Sequence, residues 1–195
     1  MPAADRAGEN KGCQKTLIRC RVPRVVAVLV AEPSQQSEKT MTEVPNELVL
    51  TRLIDAPREK LFRCWTEPSL LKQWFAPAPV TTPVAEVDLR IGGANFIVMR
   101  MPDGQEIPCP GVYLEIIPNQ KLVFTDAYSG DWMPKTGGKP FMTVILTFEE
   151  EKGQTRYTAR VRHWTKEDYD THVQMGFHQG WGQCADQLAA LAKSI

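Results

Sequence analysis

Leu48 and Leu50, with Leu53 at the margin, recur at a spacing of two and predict a strand that ends at Asp55-Ala56-Pro57. The spacing then changes. Leu61, Phe62 and Trp65 fall on one helical face, with Asp55 or Ala56 at the cap and Pro57 where a missing amide costs little. Thr66-Glu67-Pro68 restarts the pattern and predicts a second short helix through Leu70, Leu71, Trp74 and Phe75. Pro77, Pro79 and Pro83 then forbid regular continuation.

Between Val84 and Trp164 the turn signals crowd together: Gly92-Gly93, Asp103-Gly104, Pro118-Asn119, Gly137-Gly138 and Lys152-Gly153. This spacing predicts an antiparallel meander. Met142, Val144, Leu146 and Phe148 alternate with Thr143, Ile145 and Thr147, which gives one strongly apolar face. After Gly153, Tyr157, Ala159, Val161 and His163 share a face opposite Arg156, Thr158, Arg160 and Arg162, so His163 points inward.

After Thr165 the period becomes helical, with Glu167, Asp168 and Asp170 in the first turns where the helix dipole favours acids. A continuous helix would place Tyr169, Val173, Phe177, Gly180, Trp181, Cys184, Leu188, Leu191 and Ile195 in one buried stripe. His172 and His178 then lie about 120° to either side of that stripe and cannot share a face. Gly176, Gly180 and Gly182 each cost such a helix up to about 1 kcal/mol relative to Ala, so close backbone packing or cavity space must compensate. Together the elements predict an α+β domain in which a long C-terminal helix closes over a curved antiparallel sheet and encloses an apolar cavity.

Composition narrows the partners. Lys plus Arg number 23 and Asp plus Glu number 23, so no basic field exists to collect nucleic-acid phosphates. The five cysteines, Cys13, Cys20, Cys64, Cys109 and Cys184, are scattered without CxxC or zinc spacing and point to a reducing, cytoplasmic setting. The apolar run Val25 to Ala31 falls far short of the ~20 residues a membrane helix needs and lacks a convincing cleavage site before Pro33. Residues 1–44 read as an N-terminal extension, either flexible or preceding a natural start at Met41, and residues 45–195 as the folded domain.

Several of these stretches form a family pattern: Ile54-Asp55-Ala56-Pro57-Arg58-Glu59-Lys60-Leu61-Phe62, Trp65-Thr66-Glu67-Pro68, Trp74-Phe75 and Asp88-Leu89-Arg90-Ile91-Gly92-Gly93. Gly111-Val112-Tyr113-Leu114-Glu115, Lys121-Leu122-Val123-Phe124-Thr125 and Gly180-Trp181 follow in the same order. In them the chain resembles the activator of heat-shock-protein 90 ATPase homologue (AHSA-type) family, within the SRPBCC, START or Bet v-like superfamily. The resemblance spans about residues 47–193. It implies the helix-grip fold: a strand, two short helices, a run of antiparallel strands and a long helix gripped by the sheet. It does not imply one activity, because the superfamily includes lipid and polyketide binders, cyclases, hydrolases and a co-chaperone domain.

Hydrolase-elbow, P-loop and dinucleotide fingerprints are missing from the sequence, and no catalytic residue, metal ligand or cofactor is assigned. His163 reads either as a hydrogen-bonded core or cavity-wall residue or as an acid–base group. Asp126 faces inward if Leu122, Phe124 and Tyr128 do, and then needs a ligand donor or a nearby arginine; the other register turns Val123, Thr125 and Ala127 inward. The aromatics Trp65, Trp74, Phe75, Phe96, Tyr113, Phe124, Tyr128, Phe177 and Trp181, with Phe141 and Tyr157, are core or pocket lining. Trp132, in the polar segment Ser129 to Pro140, reads as a lid or interface residue or as a side chain folded back on the domain edge. Arg90 and Arg100 are solvated strand residues or anchors for a ligand carboxylate.

Three functions follow. The first is binding of a small hydrophobic molecule in the cavity, without catalysis. The second is a cyclase- or hydrolase-type enzyme in which His163 and Asp126 supply acid–base chemistry and Tyr113 or Tyr128 polarises an oxygen. The third is a chaperone-binding module, ranked last because an extension of about forty residues is too short for a second co-chaperone domain. Nucleic acid and membrane are excluded as partners, and a homodimer is left open.

Overall fold

The computed structural model describes residues 45–195, and the expected extension over residues 1–44 lies outside them. Strand β1 (Glu47–Ile54) runs into helix α1 (Arg58–Thr66). Pro57 is itself the cap, at φ −61° and ψ 143°, so the helix begins one residue later than the proline position suggests. Helix α2 (Pro68–Leu71) is a single turn, and the chain continues as bonded turns through Trp74 and Phe75. Leu61, Cys64 and Leu71 are fully buried, and the Trp74 indole N–H donates to the Cys64 carbonyl at 3.0 Å, which pins the second turn beneath the first.

The meander follows as β2 (Thr81–Val87), β3 (Ala94–Arg100), β4 (Glu106–Ile117), β5 (Lys121–Thr125), β8 (Met142–Glu151) and β9 (Gln154–His163), with a small ribbon of β6 (Tyr128–Ser129) and β7 (Met133–Pro134) between. The sheet order is β1-β9-β8-β5-β4-β3-β2, and every neighbouring pair is antiparallel. Its register places Val144 against Val161, Leu146 against Ala159 and Phe148 against Tyr157. All six are at most 2% exposed, and complete burial of a Leu or Phe stabilises by about 1.5–3 kcal/mol, so this hairpin is the centre of the core. Register shifts in β2 and β4 bend the strands, as bulges do, and curve the sheet.

The C-terminal helix differs from the expected continuous one. Helix α3 (Lys166–Gln174) is capped by Thr165, whose hydroxyl accepts from the Asp168 amide at 3.2 Å, and helix α4 (Phe177–Ser194) follows after a break. Gly176 makes the break at φ 83° and ψ 41°, a left-handed conformation open to glycine. The break resets the helical phase, which is why Val173 is exposed although a continuous stripe would bury it.

Within α4 the buried line is Phe177, Gly182, Ala185, Leu188 and Ala192, while the larger Trp181, Cys184, Leu191 and Ile195 flank it half-buried. Small residues let the helix approach closely. Arg52 of β1 reaches within 3.1 Å of where a β-carbon on Gly182 would stand. Gln187 then ties α4 to the end of the α2 turns, donating to the Trp74 and Ala76 carbonyls at 2.8 Å each and accepting from the Ala78 amide at 3.1 Å. Among the described residues, no helix is long and apolar enough to cross a membrane.

The glycines of this helix pair have opposite expected responses. At Gly180 a β-carbon meets no heavy atom within 4 Å, so Gly180→Ala should raise stability by about 1 kcal/mol through helix propensity. Gly176→Ala forces an L-residue to φ 83° and should lower stability by about 1–2 kcal/mol. Urea midpoints at unchanged m-values measure both.

Candidate functional site

The space between the sheet and the helix pair is a cavity of about 460 Å³ with mostly apolar walls. Its sheet wall follows strand alternation: on β3, Asn95, Ile97 and Met99 face it, with Thr125 of β5 and Met142 and Val144 of β8. Helix α1 contributes Trp65 and the turns after α2 contribute Trp74 and Phe75, and the Trp65 and Trp74 rings meet edge-on at 4.6 Å. Helix α4 contributes Phe177, Gly180, Trp181 and Cys184. The open position at Gly180 supplies cavity space, and the Cys184 thiol donates to the Phe75 carbonyl at 3.1 Å.

Of the sequence candidates, the structure brings Trp65, Trp74, Phe75, Phe124, Asp126, Phe141, Tyr157, Phe177 and Trp181 together on this lining. The remainder stand elsewhere. Phe96 follows Asn95 on β3, so the period of two sends it to the opposite face, where it pairs across Pro110 and Glu86. Tyr113 is 1% exposed and packs edge-on against Phe124 at 6.3 Å, outside the lining. Tyr128 and Trp132 stack on each other at 6.0 Å on the outer ribbon, and the Trp132 ring covers Gly92 so closely that a β-carbon there would lie 2.6 Å from its Nε1. That contact seats one side of the ring on the domain edge and leaves Trp132 47% exposed. Arg90 is paired with Asp88 at 2.8 Å and Asp131 at 2.6 Å, and Arg100 with Glu106 at 2.7 Å, so neither lines the cavity.

Asp126 lies just past the end of β5 and lines the cavity with Phe124, the inward placement, although Thr125 of the other register lines it too. Its carboxylate accepts from the Phe141 amide at 2.9 Å, the Met142 amide at 3.0 Å and Lys135 Nζ at 2.7 Å. Its cationic partner is thus a lysine, where an arginine was expected. His163 does point inward, 7% exposed, but both of its ring nitrogens are engaged: Nδ1 faces the Asn46 carbonyl at 3.1 Å and Nε2 faces His172 Nδ1 at 2.9 Å. Asp126 and His163 make no hydrogen bond to each other. Phe141 connects them, with its amide on Asp126 and its ring 5.4 Å from His163, so the acid–base pair has no working geometry.

His172 is the main residue the sequence reading misplaced. It was expected off the buried face, yet it is 7% exposed, lines the cavity, and stacks against Phe177 at 5.0 Å. The phase argument assumed one helix, whereas the break at Gly176 lets α3 turn its own face of Asp168 and His172, four residues apart, onto the domain. A glycine following a helical run with this spacing is a recognisable stop signal. Asn95 was missed too, although a lone polar residue in phase with Ile97 and Met99 can be read from alternation. His178, exposed on α4, is where its phase placed it. Among the described residues, no group of three or more His, Cys, Asp or Glu is placed to hold a metal.

Burial, and then the neighbouring His163, pushes the His172 imidazole down to about 4. A hydrogen bond from Lys139, followed by one from Thr165, holds the Asp168 carboxyl below its ordinary range. The two groups act in different windows. Between about pH 6.5 and 4 the unfolded chain binds a proton at His172 that the folded chain does not, so acidification should remove about 3 kcal/mol of stability there. Asp168 contributes stability above the usual carboxylate range and loses it only as pH falls below that range. Urea denaturation at stepped pH should therefore show His172→Phe abolishing the first decline and leaving the second.

No curated protein matches the chain. Among solved structures, a protein from Nitrosomonas europaea is 36% identical, with a TM-score of 0.73, over 76% of this chain and 94% of that one. A protein from Chromobacterium violaceum is 27% identical, with a TM-score of 0.64, over 76% of this chain and 98% of that one. The AHSA1 protein from Silicibacter pomeroyi is 26% identical, with a TM-score of 0.57, over 74% of this chain and 95% of that one. The family model described as Activator of Hsp90 ATPase homolog 1-like protein matches residues 55–193, nearly the whole described domain. That match overturns the last rank given to a chaperone partner, which had rested on domain size alone. With its helix-grip topology, its family motifs in order and this match, the chain belongs to the Activator of Hsp90 ATPase homolog 1-like family.

Proposed function

We propose that this domain acts on a heat-shock ATPase of the Hsp90 type through its outer surface, and that its cavity holds a small hydrophobic molecule. The family match over residues 55–193 carries the first reading. A surface suited to a protein partner accompanies it: Ile91, Trp132 and Met133 are 59%, 47% and 61% exposed around Gly92, braced by the pairing of Arg90 with Asp131. Exposed apolar residues rimmed by charge are typical of surfaces that a partner covers.

The cavity supports the second reading. Protein interiors leave few voids larger than a water molecule, whereas about 460 Å³ lies within the range of small-molecule sites. The walls bring aromatic rings from the α1–α2 region and α4 against the sheet, an arrangement that suits an apolar, ring-containing occupant. Asp126 and Lys135 on the lining are held by each other, and Asp126 also by the Phe141 and Met142 amides, an arrangement that suits binding without an accompanying reaction.

Each reading has its own measurement. Steady-state ATP hydrolysis by a purified Hsp90-type ATPase should rise several-fold when the chain is added, and the rise should fall with Trp132→Ala; an unchanged rate with no binding by calorimetry removes the first reading. For the second, mass spectrometry of solvent extracts from purified protein should find an apolar compound in near-stoichiometric amount. Gly180→Phe, which fills open cavity space, should abolish that co-purification while the protein stays folded; retention of the compound by this variant places it outside the cavity.

A further inference from the structure

The two buried histidines fix which kind of polar group the cavity presents. The Asn46 carbonyl can only accept a hydrogen bond, so His163 Nδ1, at 3.1 Å, must carry the proton. In the neutral ring His163 Nε2 is then an acceptor. Its contact with His172 Nδ1 at 2.9 Å therefore requires the proton on His172 Nδ1. His172 Nε2 is left as a bare lone pair with no partner among the described residues, on a side chain that is 7% exposed and lines the cavity.

A second acceptor stands on the sheet wall. Asn95 is 5% exposed and lines the cavity, and its Oδ1 is buried without a partner. An unpaired buried acceptor is destabilising, and an occupant can relieve this by donating to it. The donors available in return are neutral. Lys135, the lysine of the lining, is already held by Asp126 at 2.7 Å, which leaves the unpartnered Trp65 indole N–H, the Asn95 amide and the Tyr157 hydroxyl. A hydroxyl needs no counter-charge, whereas a buried carboxylate does, and a carboxylate can only accept, so it cannot satisfy His172 Nε2.

We propose that the occupant is an uncharged, largely apolar molecule bearing a hydroxyl group that donates to His172 Nε2, and that the cavity rejects the carboxylate of the same skeleton. This rests on the cavity reading above and assigns its ligand chemistry. His172 is a binding residue, and His163 positions it by fixing the tautomer.

Three probes of one shape test it: 1-hydroxypyrene, pyrene and 1-pyrenecarboxylate, titrated into the full chain at pH 7 and followed by fluorescence. Wild type should bind 1-hydroxypyrene at least tenfold tighter than either of the others. His172→Phe should bring the ratio of hydroxypyrene to pyrene affinity close to one while pyrene binding persists, and His163→Phe, which removes the partner that fixes the His172 tautomer, provides a second variant that should reduce the same ratio. Because the readout is a ratio within each variant, a general loss of folded protein does not alter it. Equal binding of pyrene and hydroxypyrene by wild type, or tightest binding of the carboxylate, overturns the hydroxyl assignment and leaves the cavity reading standing. Binding of none of the three overturns both.

Discussion

One left-handed glycine governs the helical side of this domain. Gly176, at φ 83°, ends α3 and starts α4, and the two segments then do different work. Helix α4 presents small residues to the core and docks closely. Helix α3 swings its Asp168 and His172 face toward the end of β9, where His172 meets His163. A straight helix would have directed His172 to solvent, left the histidine beneath it without a partner, and removed one wall of the cavity.

The polar groups around that wall are arranged in closed sets. Asp126 gathers two backbone amides and Lys135, which anchors the start of β8 to the segment that precedes it. Asp168 is held between Thr165 and Lys139. Gln187 satisfies three backbone groups in the turns between α2 and β2, so the cavity's aromatic end is fixed from α4, more than a hundred positions away in sequence. Such long-range bonds matter because the segments they hold contain prolines and cannot satisfy their own backbone groups through regular structure.

Two faces of the molecule thus carry separate functional readings: a rigid outer edge around Gly92 and Trp132, and an inner cavity with two unpaired acceptors. The family name bears on the first and the geometry on the second. They are physically compatible, since the ribbon of β6 and β7 contributes neither Tyr128 nor Trp132 to the cavity lining.

The sequence by itself determined the element order, the apolar faces of β8 and β9, the inward direction of His163 and the family. These depend on local periodicity and on motifs that read the same in any register of neighbours. It also marked most of the aromatic lining, because large rings at Trp65, Trp74, Phe75, Phe124, Phe177 and Trp181 must be buried somewhere in one core. Only the tertiary structure decided where Asp126, Trp132 and His172 stand. Asp126 lies where a strand ends and residues of both expected registers line the cavity; Trp132 lies on a loop whose position follows from its contact with Gly92. His172 depends on a change of helix direction at one residue, and a phase counted along an unbroken helix cannot carry across it.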